Sequence, residues 1–139
     1  MTRQQEREET FLMLCEYGFD TDRFASEIYE TAQKAREVED STYISSVLEG
    51  VIANRMEIDE LISANSSGWK ISRLSVVTAA ILRLATYEML FCADIPVNVS
   101  MNEAIELAKK FDDEKARGFV NGVLNAIAKK VKAERGEDA

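Results

Sequence analysis

The 139-residue chain has no histidine, a single proline and only two cysteines. Without histidine it lacks the commonest general base near neutral pH, the commonest zinc ligand and every nucleophile–histidine pair, which excludes much of enzymology. Cys15 and Cys92 stand far apart among apolar neighbours with no CxxC spacing. They read as small apolar side chains in a reducing compartment, not as a redox or metal pair. No run of about 18 apolar residues occurs, and Met1 to Thr10 is polar and charged, so neither a membrane span nor a signal-peptide core is expected. A cytoplasmic location without membrane attachment follows as the expectation.

What is present is a chain 46% hydrophobic, enough for one globular domain over 1–139. A domain of that length buries roughly two-thirds of the surface its unfolded form exposes. The formal net charge of −8 argues at first against nucleic acid, because neutralised phosphates supply most of such affinity. Its distribution changes the argument: through Val99 there are 9 Lys+Arg against 17 Asp+Glu, and from Ser100 onward 8 against 8. A neutral C-terminal segment with clustered lysines is able to present a local basic face, although a solvated helix surface is the ordinary use of such charges.

Apolar residues recur at three- and four-residue spacing and not in alternation, so the chain is expected to be all-α, with about six to seven helices and almost no strand. A Thr2-x-x-Gln5 capping box starts the first helix, which runs to about Tyr17, where Gly18 stops it; Phe11, Leu12, Leu14 and Cys15 form its buried stripe. A second helix from about Arg23 to Ala35 is expected to bury Phe24, Ile28 and Ala32. Ser41 caps a longer third helix reaching Ile62, and Ser63 to Gly68 is a loop. Ser72 to about Cys92 is the most apolar segment and is predicted to be central. Pro96 breaks it, and a second capping box, Ser100 with Glu103, opens the next helix. Asp112 to Glu114 turns the chain into a last helix carrying Phe119, Val120, Val123, Leu124, Ile127 and Val131, with 133–139 frayed. Arg83 and Glu88, charged groups in an apolar helix, need buried partners. Asn121 and Gly122 are expected to serve packing, the glycine by permitting close helix approach, and Trp69 reads as a core corner.

Three blocks in order, Ile81-Leu-Arg-Leu-Ala-Thr-Tyr-Glu-Met-Leu90, Ile95-Pro-Val-Asn-Val-Ser-Met-Asn-Glu-Ala-Ile-Glu-Leu-Ala-Lys109 and Phe119-Val-Asn-Gly-Val-Leu124, resemble the NusB family. Gly50-Val51, Gly68-Trp69 and the basic residues near the N-terminus also fall where that family has them. The resemblance implies a bundle of two three-helix halves with a seventh helix, no catalysis, no cofactor and no metal. It further implies binding of single-stranded, boxA-type RNA in partnership with NusE, a small-subunit ribosomal protein, within the RNA polymerase antitermination complex at ribosomal RNA operons. Monomer and homodimer both occur in the family.

Carried onto this sequence, the family's arginine-rich helix start falls on Thr2-Arg-Gln-Gln-Glu-Arg-Glu8. Arg3 and Arg7, four residues apart, share a helix face and are expected to reach the same stretch of phosphate backbone, with Gln4 beside them. Glu6, Glu8 and Glu9 make the segment net negative, so weak, partner-dependent RNA binding is expected. Lys115, Arg117 and Phe119 offer cations beside an aromatic ring, the combination that holds single strands. Leu74, Thr78 and Tyr87 are the candidates for the protein partner. Two further readings stand beside this one: a protein-only helical scaffold that has lost RNA binding, and a NusB-like domain from an rRNA cytosine methyltransferase. Acidic clusters such as Glu57-Ile-Asp-Glu60 match no defined catalytic constellation.

Overall fold

The computed structural model describes residues 1–136 as seven α-helices and one short 3₁₀ turn, with no strand among the described residues. They are α1 (Arg3–Phe19), α2 (Ala25–Arg36), α3 (Thr42–Ala53), α4 (Arg55–Ala64), α5 (Val76–Phe91), α6 (Val97–Phe111) and α7 (Glu114–Arg135). The 3₁₀ turn, Ile71–Arg73, leads into α5. Helices α1, α2 and α3 pack on one another, as do α5, α6 and α7, while α4 lies against α3, α5 and α7. These are two three-helix halves with a seventh helix. The centre is α5: Ala80, Ile81, Leu82, Leu84, Ala85 and Met89 are all buried, and α1, α3, α4, α6 and α7 all contact it. A helix apolar around most of its circumference belongs at such a position.

Local chemistry sets most of the helix starts. The Thr2 hydroxyl accepts from the Gln5 amide at 3.1 Å and the Gln5 side chain accepts from the Thr2 amide at 2.8 Å, a reciprocal capping box. Ser41, Ser75 and Asp113 cap α3, α5 and α7 by single side-chain hydrogen bonds, accepting from the amides of Ile44, Thr78 and Ala116. The expected long third helix is two helices, because the chain bends at Asn54, whose side-chain amide donates to the Gly50 carbonyl at 2.8 Å.

Elsewhere tertiary contacts override local signals. The helix expected to open at Ser100 opens at Val97 after Pro96, and Ser100 is interior, its hydroxyl donating to Glu88 at 2.7 Å. Gly18 does not stop α1, which continues to Phe19; a Cβ there would lie 3.1 Å from Val76. Phe24 is 75% exposed at the head of α2, not buried. Gly50 permits the close approach of α3 to α5, since a Cβ on it would fall 2.2 Å from the Tyr87 hydroxyl, whereas Gly122, expected to play that role, has nothing within 4 Å. Helix α7 continues past Ala133 to Arg135, whose guanidinium donates to the Ile95 carbonyl at 3.0 Å, so fraying does not begin at Ala133; residues 137–139 lie outside the described residues.

Candidate nucleic-acid interface

The first candidate surface is the head of α1. Arg3 is exposed; it pairs with Glu6 at 3.4 Å, and its guanidinium carbon stands 4.4 Å from the centroid of the Tyr43 ring. Gln4 and Gln5 are exposed beside it. Arg7 is not. Its side chain is 8% exposed, and its Nε donates to Glu88 Oε2 at 2.8 Å. The same carboxylate accepts hydrogen bonds from the Tyr43 and Ser100 hydroxyls, so one buried acid joins α1, α3, α5 and α6. Burial by itself pulls the Arg7 pKa down, but the hydrogen bond and charge of Glu88 outweigh it and hold the guanidinium above its ordinary value. Burial, then the charge of Glu88, raises the Tyr43 phenol. The face shared by Arg3 and Arg7 therefore turns largely from solvent within one turn: Arg3 stays open, whereas Arg7, held by Glu88, shows only an edge to the cleft beside α6. This corrects the expectation for Arg7: another helix covers its part of the face, which periodicity does not register. The second charge of the central helix is also satisfied, with Arg83 holding Asp59 through two hydrogen bonds at 2.9 and 3.0 Å.

Beside the head of α1, a cleft of about 520 Å³ separates it from α6. Gln4, Gln5, Glu8 and the exposed edge of Arg7 form one wall; Glu103, Lys109 and Lys110 are on the other. Lys110 bonds to Glu8 at 2.6 Å and Lys109 to Glu106 at 3.4 Å. The two lysines were not singled out from sequence; their signal was that Lys109 closes the second family-like block and Lys110 follows it. Each accessible cation here already has a carboxylate partner, so a phosphate entering the cleft must compete for it.

The second candidate surface is the head of α7. Lys115 is exposed without an ion pair, and Arg117 is half-buried with its Nε in no hydrogen bond. Phe119 is half-buried against the core and lines a mainly apolar cleft of about 340 Å³ with Trp69, Arg73, Leu74, Thr78 and Lys115. The structure thus brings together two residues read as RNA contacts and two read as partner contacts. Tyr87 is elsewhere, packed on Gly50 with its ring 5.2 Å from that of Phe91. Thr78 is buried, its hydroxyl donating to Asp112 at 2.7 Å, so it holds α5 to the turn before α7 and offers little surface. Trp69 is 52% exposed, not a core corner, and adds a second aromatic wall. Asn121 and Gly122 face solvent. Both cysteines are half-buried, and burial, helped by Glu16 and Asp112, pushes the Cys15 thiol up to about 11. No group of acidic and cysteine side chains among the described residues is arranged to hold a metal ion, and no described helix is long and apolar enough to cross a membrane.

Comparison with known proteins places this architecture. The NusB family model matches residues 4–129. A transcription antitermination protein NusB from Bacillus licheniformis is 46% identical over 128 residues, covering 91% of this chain and 96% of the relative. Another from Natranaerobius thermophilus is 40% identical over 139 residues, covering 97% and 100%. Among solved structures, T. maritima NusB aligns with a TM-score of 0.82 at 36% identity over 94% of this chain and 92% of that one. Antitermination factors NusB and NusE in complex with dsRNA give a TM-score of 0.81 at 27% identity, covering 94% and 99%.

Proposed function

The chain belongs to the NusB family, and from that premise we propose that it is a bacterial transcription antitermination factor that binds boxA-type RNA of nascent ribosomal RNA together with NusE. The reading extends to a single domain over 1–139 that acts in the cytoplasm without catalysis, as one component of the RNA polymerase antitermination complex. The observation that carries it is likeness along nearly the whole chain to a protein solved in complex with NusE and RNA.

The two surfaces divide the work. RNA follows the exposed Arg3 and Gln4, the cleft with Lys109 and Lys110, and then Lys115 and Arg117. Phosphate contacts of this kind fix the strand's path without reading its sequence. NusE meets the chain at the cleft of Trp69, Leu74 and Phe119, where Thr78 stiffens the wall; apolar surface with an exposed tryptophan is the usual anchor of a protein interface. Arg7 acts from inside, fixing the head of α1 so that Arg3 and Gln4 are presented in one orientation. Because carboxylates already engage Arg3, Lys109 and Lys110, the RNA surface alone is weak, and NusE supplies the remaining affinity.

Fluorescence-polarisation titration of a boxA-like RNA, with and without purified NusE and at two salt concentrations, tests this. Salt-sensitive binding that NusE strengthens is the expected result. Absence of binding at low salt with NusE present would leave the protein-only scaffold as the function.

A further inference from the structure

A third cleft, of about 450 Å³, lies between α2 and α3 and shares no residue with either surface above. Its lining is mostly apolar: Phe24, Tyr29, Ile52 and Ala53, with Arg23 and Glu49 among its polar members. Phe24 is the anomaly. It stands at the N-cap of α2, where a serine, threonine or aspartate side chain would close the first turn, and it makes no capping hydrogen bond. It is also 75% exposed, so it serves neither the helix start nor the core. A large apolar side chain kept in water at a position that favours a small polar one points to use by a ligand.

Charge identifies the class of ligand. From Asp20 to Ala53 the chain has three Lys+Arg against eight Asp+Glu, so α2, α3 and their connections, the segment that forms the cleft, account for five of the net −8. Within the cleft Arg23 is drawn to Glu27 at 3.7 Å, whereas Glu49 is exposed and has no ion pair. Nucleic acid is repelled by such a surface, and a second copy of the chain would bring the same negative charge to it. We propose that the Phe24–Ile52 cleft is a docking site for a basic protein segment that seats an aliphatic or aromatic side chain beside Phe24 and sets a lysine or arginine against Glu49. Opposite charge at the rim steers and orients such a segment while the apolar floor holds it.

The test is chemical-shift mapping on the ¹⁵N-labelled full chain, titrated with a leucine–lysine amphipathic helical peptide and with its leucine–glutamate counterpart. The lysine peptide is expected to shift Phe24, Ser26, Ser45, Glu49 and Ile52, and the glutamate peptide to shift none of them. F24S supplies a side-chain helix cap that Phe24 lacks and is therefore expected to fold, yet to bind about tenfold more weakly, as is E49K. Circular dichroism verifies the fold of both variants. The proposal is overturned by the absence of shifts, by shifts centred elsewhere, or by unchanged affinity in F24S and E49K. It is equally overturned if boxA-like RNA shifts these residues, or if sedimentation shows a self-association that F24S abolishes.

Discussion

Replacing Glu88 with alanine removes the acid that hydrogen-bonds and pairs with Arg7, leaving only the longer-range charge of Glu103. The guanidinium would remain in a site where its side chain is 8% exposed, and breaking a buried ion pair from one side costs roughly 3–5 kcal/mol. The Tyr43 and Ser100 hydroxyls lose their acceptor too, at about 1–3 kcal/mol for a hydroxyl left dry. They need not stay dry: a void of about 10 Å³ already touches Arg7, Glu88 and Ser100, and loss of the carboxylate enlarges it enough for a water, which needs about 10–15 Å³. Water can replace the hydroxyls' hydrogen bonds but not the missing charge, so the Arg7 term dominates and the expected loss is about 4 kcal/mol, a large part of a typical total of about 5–15. Urea unfolding followed by circular dichroism measures it. Combining Glu88→Leu with Arg7→Met should recover most of the loss, because an apolar pair leaves no buried charge. That double variant should also bind RNA nearly as the unaltered chain does, since Arg7 is 8% exposed and its guanidinium is held by Glu88. A loss below about 1 kcal/mol in Glu88→Ala would mean that Arg7 swings out to water, and weakened RNA binding in the double variant would return Arg7 to the RNA surface.

Four further outcomes are expected. RNA affinity should fall only moderately with salt: with at most five phosphate contacts, from Arg3, Lys109, Lys110, Lys115 and Arg117, a slope no steeper than roughly −3.5 in log K against log salt is expected for a single strand, and a steeper one would mean a wider basic surface. Phe24→Ser should raise stability by about 1 kcal/mol in urea unfolding, since it supplies a cap and gives up little burial; a loss would show that Phe24 contributes to the core. Gly50→Ala should cost roughly 1–3 kcal/mol by driving a methyl into Tyr87, while Gly122→Ala should gain about 0.5–1 kcal/mol; equal effects would contradict the packing described. The Cys15 thiol, raised from an ordinary 9.0 to about 11, favours the folded state below the unfolded value, and that contribution is lost as pH rises from about 9 to 11. Urea midpoints should therefore decline across that window, less steeply in Cys15→Ser.

Features that depend on neighbours in sequence were legible in it. The Thr2–Gln5 capping box, the Ser41 cap and the central position of the Val76–Phe91 helix are consequences of side chains within a few residues of one another. Ser100 shows where that logic ends: Ser-Met-Asn-Glu spells a capping box, but Pro96 already fixes the turn and Glu88, twelve residues back, claims the hydroxyl. Arg3 and Arg7 repeat the lesson, because spacing defines a face but not which helix covers its far end. Spacing did not distinguish the glycines; the family resemblance marked Gly50 and Gly68, and the crossing of α3 over α5 supplies the physical reason for Gly50. The cleft joining Trp69 to Phe119, and the lysines that face Gln4 across another, depend on loops that bring distant segments together. No periodicity encodes that.

The Glu88 junction also bears on synthesis at the ribosome. Arg7 emerges 81 residues before its partner, so for most of translation α1 carries a cation that no nearby buried acid can neutralise. Helices α1 to α4 are likewise complete before α5, the helix against which α1, α3 and α4 pack, exists at all. The N-terminal half must therefore wait, solvated and strongly acidic, until the central helix leaves the exit tunnel, and consolidation of the fold is deferred to the last third of the chain.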